Sequence, residues 1–276
     1  MTRDPFPNSG LSGEAVASCF VMDCHCHLGS MRQFRLFDST VEGLIRLMDL
    51  MGVDVAAPSS VPSALDGLTV AGNDIVIDAV QRFPRRIFGY ACVNPRYERE
   101  AAQELERCWA AGLRGIKVHE AQGTPYDDPR YDQVWAFAAA HSMPVLAHTW
   151  GKGSLSTLEA HFRSQPGISW ILGHGLCGVD RDEYVRVARS YPNVYIDTVY
   201  SACPRGLLEY FVAQGVVDKI VWGTDIVFMS GEQQLGKILF AGISPEDKVK
   251  ILGANALRIF GPLGVTGGKR AAARGR

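Results

Sequence analysis

The chain has 276 residues, 47 % hydrophobic and 21 % charged, with Lys+Arg 28 against Asp+Glu 29 and a formal net charge of −1. This length admits one large α/β domain or two small ones, and the ordinary apolar content excludes a disordered chain. The charge balance argues against a nucleic-acid partner, which calls for a basic excess against phosphate. No stretch approaches the ~18 apolar residues of a membrane span.

Residues 1–18 carry Asp4, Glu14 and two prolines without an apolar run, so they read as a flexible extension and not as a signal peptide. The seven cysteines are scattered from Cys19 to Cys203 without a disulfide framework, which predicts a reduced, cytoplasmic setting. Short β-branched runs then alternate with amphipathic stretches. Strands are predicted at Phe20–His27, Val53–Ala57, Ile87–Val93, Arg114–His119, Pro144–His148, Ser169–His174, Asn193–Asp197 and Lys219–Asp225. They recur about every 28 residues, the length of one βα unit.

Helix starts are visible between them. Ser39-Thr-Val-Glu42 reads as a capping box, and Ser244-Pro-Glu-Asp247 as an N-cap followed by a first-turn proline and two carboxylates. The breaker-rich segment 58–67 predicts a loop, with the next helix starting near Asn73. Eight units in about 240 residues predict a closed (β/α)8 TIM barrel over 19–262. An open doubly wound sheet is the competitor, but no Gly-x-Gly-x-x-Gly follows the first strand. Residues 263–276 hold Lys269, Arg270, Arg274 and Arg276 and no acid, the composition of a basic disordered tail.

Five of the seven histidines (His25, His27, His119, His148 and His174) fall at C-terminal ends of predicted strands, and Asp225 ends the last strand. In a barrel that rim is where the βα loops converge to build sites. In Val21-Met-Asp-Cys-His-Cys-His27, strand alternation places Asp23, His25 and His27 on one face and Cys24 and Cys26 on the other. Two imidazoles at i, i+2 are able to chelate one ion, or to be hydrogen-bonded core residues with a carboxylate partner. Cys24 and Cys26 lack the second Cys/His pair that a zinc finger requires. His148, His174 and Asp225, each unremarkable alone, complete a His-rich, single-Asp set on one rim. Such donors suit Zn²⁺, and also Mn²⁺, Fe²⁺, Co²⁺ or Ni²⁺.

Asp-x-His-x-His on the first strand, Gly-Ile-Lys117-Val-His119, Ala-His148, Gly-His174, Gly-Thr-Asp225 and the closing Ile-Leu-Gly-Ala-Asn255-Ala-Leu-Arg-Ile-Phe260 run in order from about residue 20 to 261. This set resembles the amidohydrolase superfamily, in particular the amidohydrolase-related branch that also holds aminocarboxymuconate-semialdehyde decarboxylase. The resemblance implies a metallo-barrel with His25, His27, His148 and Asp225 as ligands and His174 beside the metal-bound water. Two positions depart from the pattern. Glu120 stands where proline often follows the strand-four histidine, and Ile226 and Val227 replace an aromatic and a proline after Asp225. Both lie on rim loops and bear on the substrate.

Lys117 shares a strand face with His119, so both are expected to point inward. It could be carboxylated and bridge two metals, pair with Asp23 or Asp225, or bind a substrate carboxylate; the nearer branch implies one ion and an uncarboxylated lysine. Arg32 and Arg35 are candidate carboxylate clamps or plain surface arginines. Cys177, in a Gly-rich turn, reads as a small filler near the site, and Trp150 and Tyr200 as candidate pocket walls.

The first functional expectation is metal-dependent hydrolysis of a cyclic amide, lactone or ester. A divalent ion lowers the pKa of its bound water from 15.7 toward ~7. Asp225 would then shuttle the proton and His174 would orient the water or polarise the carbonyl. The alternative uses the same site for non-oxidative decarboxylation of an unsaturated or aromatic acid, and a third reading is a non-catalytic binding barrel. Each implies a small-molecule partner, without nucleic acid or membrane, and each is compatible with a homo-oligomer.

Overall fold

The computed structural model describes residues 4–33, 35–150, 152–175, 180–200 and 202–267. Eight short strands occur in the predicted places. They are β1 (Met22–Leu28), β2 (Val55–Ser60), β3 (Tyr90–Cys92), β4 (Gly115–Val118), β5 (Val145–His148), β6 (Trp170–Gly173), β7 (Val194–Asp197) and β8 (Ile220–Val221). Neighbours pair in parallel from β1 to β2 and from β3 through β8. Backbone hydrogen bonds close both gaps. Phe88 N donates to Ala56 O across β2 and β3, while Cys24 N donates to Trp222 O and Asp225 N to His25 O across β8 and β1. The result is a (β/α)8 barrel.

Alternation along the strands sorts the core into two regions. Outward residues such as Ile116, Val118, Val145, Ala147, Trp170, Leu172 and Ile196 pack beneath the helices. Inward Tyr90, Leu146, Ile171 and Val221 fill the lower barrel together with Phe20, Met22 and Phe260. Above that plug the inward positions turn polar, at Lys117, His148 and Asp197. Helices cover the outside with narrow apolar stripes, as in α2 (Val41–Met51), where Leu44, Met48 and Met51 are buried at i, i+4 and i+7.

Several local expectations are corrected. The α2 cap is Thr40, whose hydroxyl accepts from Gly43 N. Glu42 pairs with Arg82 instead of closing a capping box with Ser39. Ser244 caps its helix as expected, accepting from Asp247 N at 3.1 Å. The expected loop 58–67 instead completes β2 and forms a buried one-turn helix, α3 (Val61–Leu65), capped by Ser60. The next helix, α4 (Thr69–Arg82), starts four residues before Asn73. Pro62 sits in the first turn of α3, where its missing N–H costs nothing, so a residue read as a breaker starts a helix.

The N-terminal segment, expected to be loose, carries α1 (Phe6–Ser12) with Phe6 buried. Its anchor is the buried Lys248, which donates to Asp4 Oδ2 at 2.7 Å and to Leu239 O at 2.9 Å. At the other end Leu263 and Val265 pack on the Phe260 cluster, and the basic residues from Lys269 onward lie outside the described residues. Among the described residues no helix is long and apolar enough to cross a membrane.

Candidate functional site

The first strand does not keep the simple alternation expected of it. Its register with β2 shifts between Asp23 and Cys26, a β-bulge that resets which side chains face inward. Cys24 packs in the lower barrel with Met22, whereas Cys26 joins the outer core. His25 and His27 therefore face the mouth, and Asp23 does not share their role. Its carboxyl accepts from His25 N, Thr224 N and, at 2.5 Å, Thr224 Oγ1, which ties the bulge to the loop carrying Asp225. Burial pushes Asp23 up to about 7.

Three ligand atoms converge at the mouth. One each from His25, His27 and Asp225 lie within 4.8 Å of one another, all buried. His27 Nε2 is 2.9 Å and His25 Nε2 3.6 Å from Asp225 Oδ1. Each imidazole is held from behind: His25 Nδ1 lies 2.5 Å from Asp197 Oδ2, and His27 Nδ1 2.9 Å from Ser59 Oγ. With Nδ1–H given to those oxygens, both Nε2 lone pairs face the centre, the arrangement that oxygen acceptors behind the ring impose on metal-binding histidines. Lys117 Nζ lies 3.2 Å from His25 Nε2, so that nitrogen already faces a cation. The donor set thus fits a divalent ion. Burial drives both rings toward the neutral form a ligand needs, with Lys117 adding to the effect.

Around this triad the barrel places further imidazoles. His148 stands outside the 4.8 Å group; its ring stacks on His119 at 3.9 Å between centroids and meets His174 edge-on at 4.6 Å. His119 Nδ1 accepts from Ala121 N at 3.0 Å, which leaves its proton on Nε2. Burial, with Lys117 nearby, brings His119 down to about 2 and His174 to about 4; His148 is depressed further, by burial and by His119. Lys117 is inward and buried, as expected, and burial lowers it to about 8. His174 and Asp225 both adopt left-handed backbone conformations, φ +64° and +55°. Non-glycine residues there are strained, and such strain gathers at functional sites.

A cavity of about 200 Å³ opens above these groups, lined by His27, Lys117, His119, His148, His174 and Asp225 together with Trp150 and residues of α3 and the β8 loop. Trp150 lines the cavity as expected; Tyr200 packs edge-on behind it at 5.2 Å and is not among the described lining residues. Arg32 is corrected: its side chain is exposed and absent from the cavity lining. Cys177 lies outside the described residues. Asp197 and Ser59 were missed by sequence reasoning. Both sit at or near strand ends, and the rule applied to histidines would have found Asp197 had it been extended to every polar strand-end residue.

Known proteins share this barrel. The amidohydrolase family profile matches residues 22–261. A gamma-resorcylate decarboxylase of Rhizobium radiobacter is 24 % identical over 83 % of this chain and 89 % of its own length. The crystal structure of 2,6-dihydroxybenzoate decarboxylase from Rhizobium superposes with a TM-score of 0.67 at 19 % identity, covering 89 % of this chain and 100 % of that one. A 5-carboxyvanillate decarboxylase from Novosphingobium aromaticivorans, crystallised with manganese and 4-hydroxy-3-methoxy-5-nitrobenzoic acid, gives 0.66 at 15 % identity, over 90 % and 98 %. The chain belongs to the amidohydrolase family of (β/α)8-barrel enzymes.

Proposed function

We propose that this protein is a metal-dependent, non-oxidative decarboxylase of a small aromatic or unsaturated carboxylic acid. The observation that carries this reading is the placement of Lys117 beside the His25–His27–Asp225 triad, on the floor of a small cavity. This gives a carboxylate a cationic seat, and the names of the matched relatives point the same way. They favour decarboxylation over the hydrolysis that the motifs first suggested.

His25, His27 and Asp225 would hold one divalent ion, with His148 as a further donor; imidazole and carboxylate oxygens suit Zn²⁺ and Mn²⁺ alike. When bound, the ion supplies Lewis acidity that draws electron density from the oxygens of the acid. Lys117 neutralises the substrate carboxylate and orients it. The bond between the ring carbon and the carboxylate breaks, CO₂ leaves, and a proton takes its place on the same carbon. The electron pair of the broken bond stays on the ring carbon, and Asp225, the one carboxyl among the described cavity-lining residues, takes a proton from solvent and delivers it to that carbon. His174 positions the ring edge: its Nδ1 is buried without a hydrogen-bond partner among the described residues.

The test is CO₂ release from hydroxybenzoates, 2,6-dihydroxybenzoate included, by protein stripped of metal and reloaded with Zn²⁺ or Mn²⁺. Turnover should vanish on stripping and return on reloading. Hydrolysis of lactones or esters without CO₂ release from any acid would overturn the reading, as would full activity of metal-free protein.

A further inference from the structure

Three of the rim histidines have their tautomers set by a neighbour, and in two opposite senses. Oxygens of Asp197 and Ser59 lie 2.5 and 2.9 Å from Nδ1 of His25 and His27, so the proton sits behind each ring and Nε2 is left as a lone pair. His119 is reversed. Its Nδ1 accepts from Ala121 N at 3.0 Å, and a backbone amide only donates, so in the neutral ring the proton is on Nε2. The cause is local: His119 N-caps the single 3-10 turn Glu120–Gln122 that follows β4. Such a ring offers the mouth a donor where His25 and His27 offer ligand atoms, and among the described residues that N–H meets no acceptor.

His119 and Lys117 both line the cavity. The backbone of His119 is still extended, φ −144° and ψ 131°, so the alternation of β4 persists. It sets the two side chains on one face, about 7 Å apart at their Cα atoms. The plane of the His119 ring is held by its stack on His148, 3.9 Å between centroids and 27° between planes, and His148 in turn lies parallel to Trp150. With Nδ1 turned to the loop, the Nε2 edge is the one left for the cavity. A neutral N–H there adds a directional donor beside the point charge of Lys117, without the repulsion that a second cation would meet next to a divalent ion.

Resting on the decarboxylase reading, we infer that His119 is a substrate-binding residue and not a metal ligand: its Nε2–H donates to one oxygen of the substrate carboxylate while Lys117 takes the other. The two residues make one anion seat from a single strand. A hydrogen bond to a charged group is worth about 10–100-fold in affinity. The negative charge moves from the carboxylate to the ring carbon as CO₂ forms, so this bond is strongest in the bound acid, and its loss shows in Kd and KM.

The experiment compares His119→Asn and His119→Gln with the wild type, as full-length, Zn²⁺-loaded proteins. Asparagine keeps an acceptor for Ala121 N but has no N–H at the place of Nε2, whereas glutamine restores one. Calorimetry gives Kd for 2,6-dihydroxybenzoate and for 1,3-dihydroxybenzene, the same ring without its carboxylate; elemental analysis gives metal content. His119→Asn should weaken the acid 10–100-fold and the carboxylate-free ring less than 3-fold. His119→Gln should bind the acid within about 5-fold of wild type, and both variants should keep one metal per chain. Metal loss in His119→Asn makes the residue a ligand and overturns this inference alone, as does an equal loss of affinity for both compounds, or none. Failure of every aromatic acid to bind the wild type overturns the decarboxylase reading, and this inference with it; binding without CO₂ release overturns that reading alone.

Discussion

His25 and Asp197 are 172 residues apart in the chain and 2.5 Å apart in the barrel, both fully buried. The carboxyl fixes the tautomer and orientation of the imidazole, so its Nε2 lone pair points into the mouth. Asp197→Asn should lower metal affinity 10–100-fold with little change in secondary structure, the usual cost of losing such a partner. Competition with a chelator measures it; unchanged affinity would show that the bond only packs the barrel.

Gly223 is what lets those two residues meet. A Cβ there would lie 2.7 Å from His25 Cβ and 2.9 Å from Asp197 Oδ1. Overpacking of this kind costs about 1–3 kcal/mol. Gly223→Ala is expected to lose bound metal and to unfold at lower denaturant concentration, read by elemental analysis and a urea titration.

Lys117 separates one-metal from two-metal chemistry. As an ammonium 3.2 Å from His25 Nε2 it repels an incoming divalent ion, so Lys117→Met should keep about one metal per chain, bound as tightly or more so, while turnover falls about 100-fold. A carboxylated, bridging lysine gives the opposite result: two metals in the wild-type protein and loss of metal in the variant. Elemental analysis with intact-mass spectrometry decides.

The metal-free protein should be acid-sensitive. His119 falls from 6.5 to about 2 and His174 to about 4 on folding, chiefly through burial. Between those values and 6.5 the unfolded chain binds more protons, so stability falls as pH drops below 6.5. Asp23 and Asp197, pushed up by burial to about 7 and about 8, act in the opposite sense as pH rises. His119→Gln isolates one group: between pH 6 and 4 its stability should fall less steeply than wild type by at most ~1.4 kcal/mol per pH unit. Parallel profiles from urea titrations would count against the buried neutral imidazole.

Trp150 forms the exposed rim of the pocket, its ring parallel to His148 at 5.9 Å. Stacking on an aromatic substrate is worth ~0.5–1.5 kcal/mol. Trp150→Ala should therefore raise KM about 3–10-fold and leave kcat within a factor of two. A fall in kcat with KM unchanged would place the indole in the chemistry instead of in binding.

The sequence by itself determined the barrel and the rim. Spacing of apolar runs placed eight strands, and the strand-end positions of His25, His27, His119, His148, His174 and Asp225 put them at one mouth, because period and chain direction are local properties. Strand alternation with His119 also foretold inward Lys117. Only the tertiary structure decided which groups touch. The bulge after Asp23, the left-handed turn at Asp225 and the helix at Val61–Leu65 each depend on hydrogen bonds to distant segments, such as Thr224 to Asp23 and Gln122 to Ser63. The same holds for His25 and Asp197, and for Lys248, which turns an unremarkable N-terminus into a docked helix. A local pattern fixes which face a side chain takes while alternation persists. Where a bulge or a turn interrupts it, the long-range partner that stabilises the interruption sets the site.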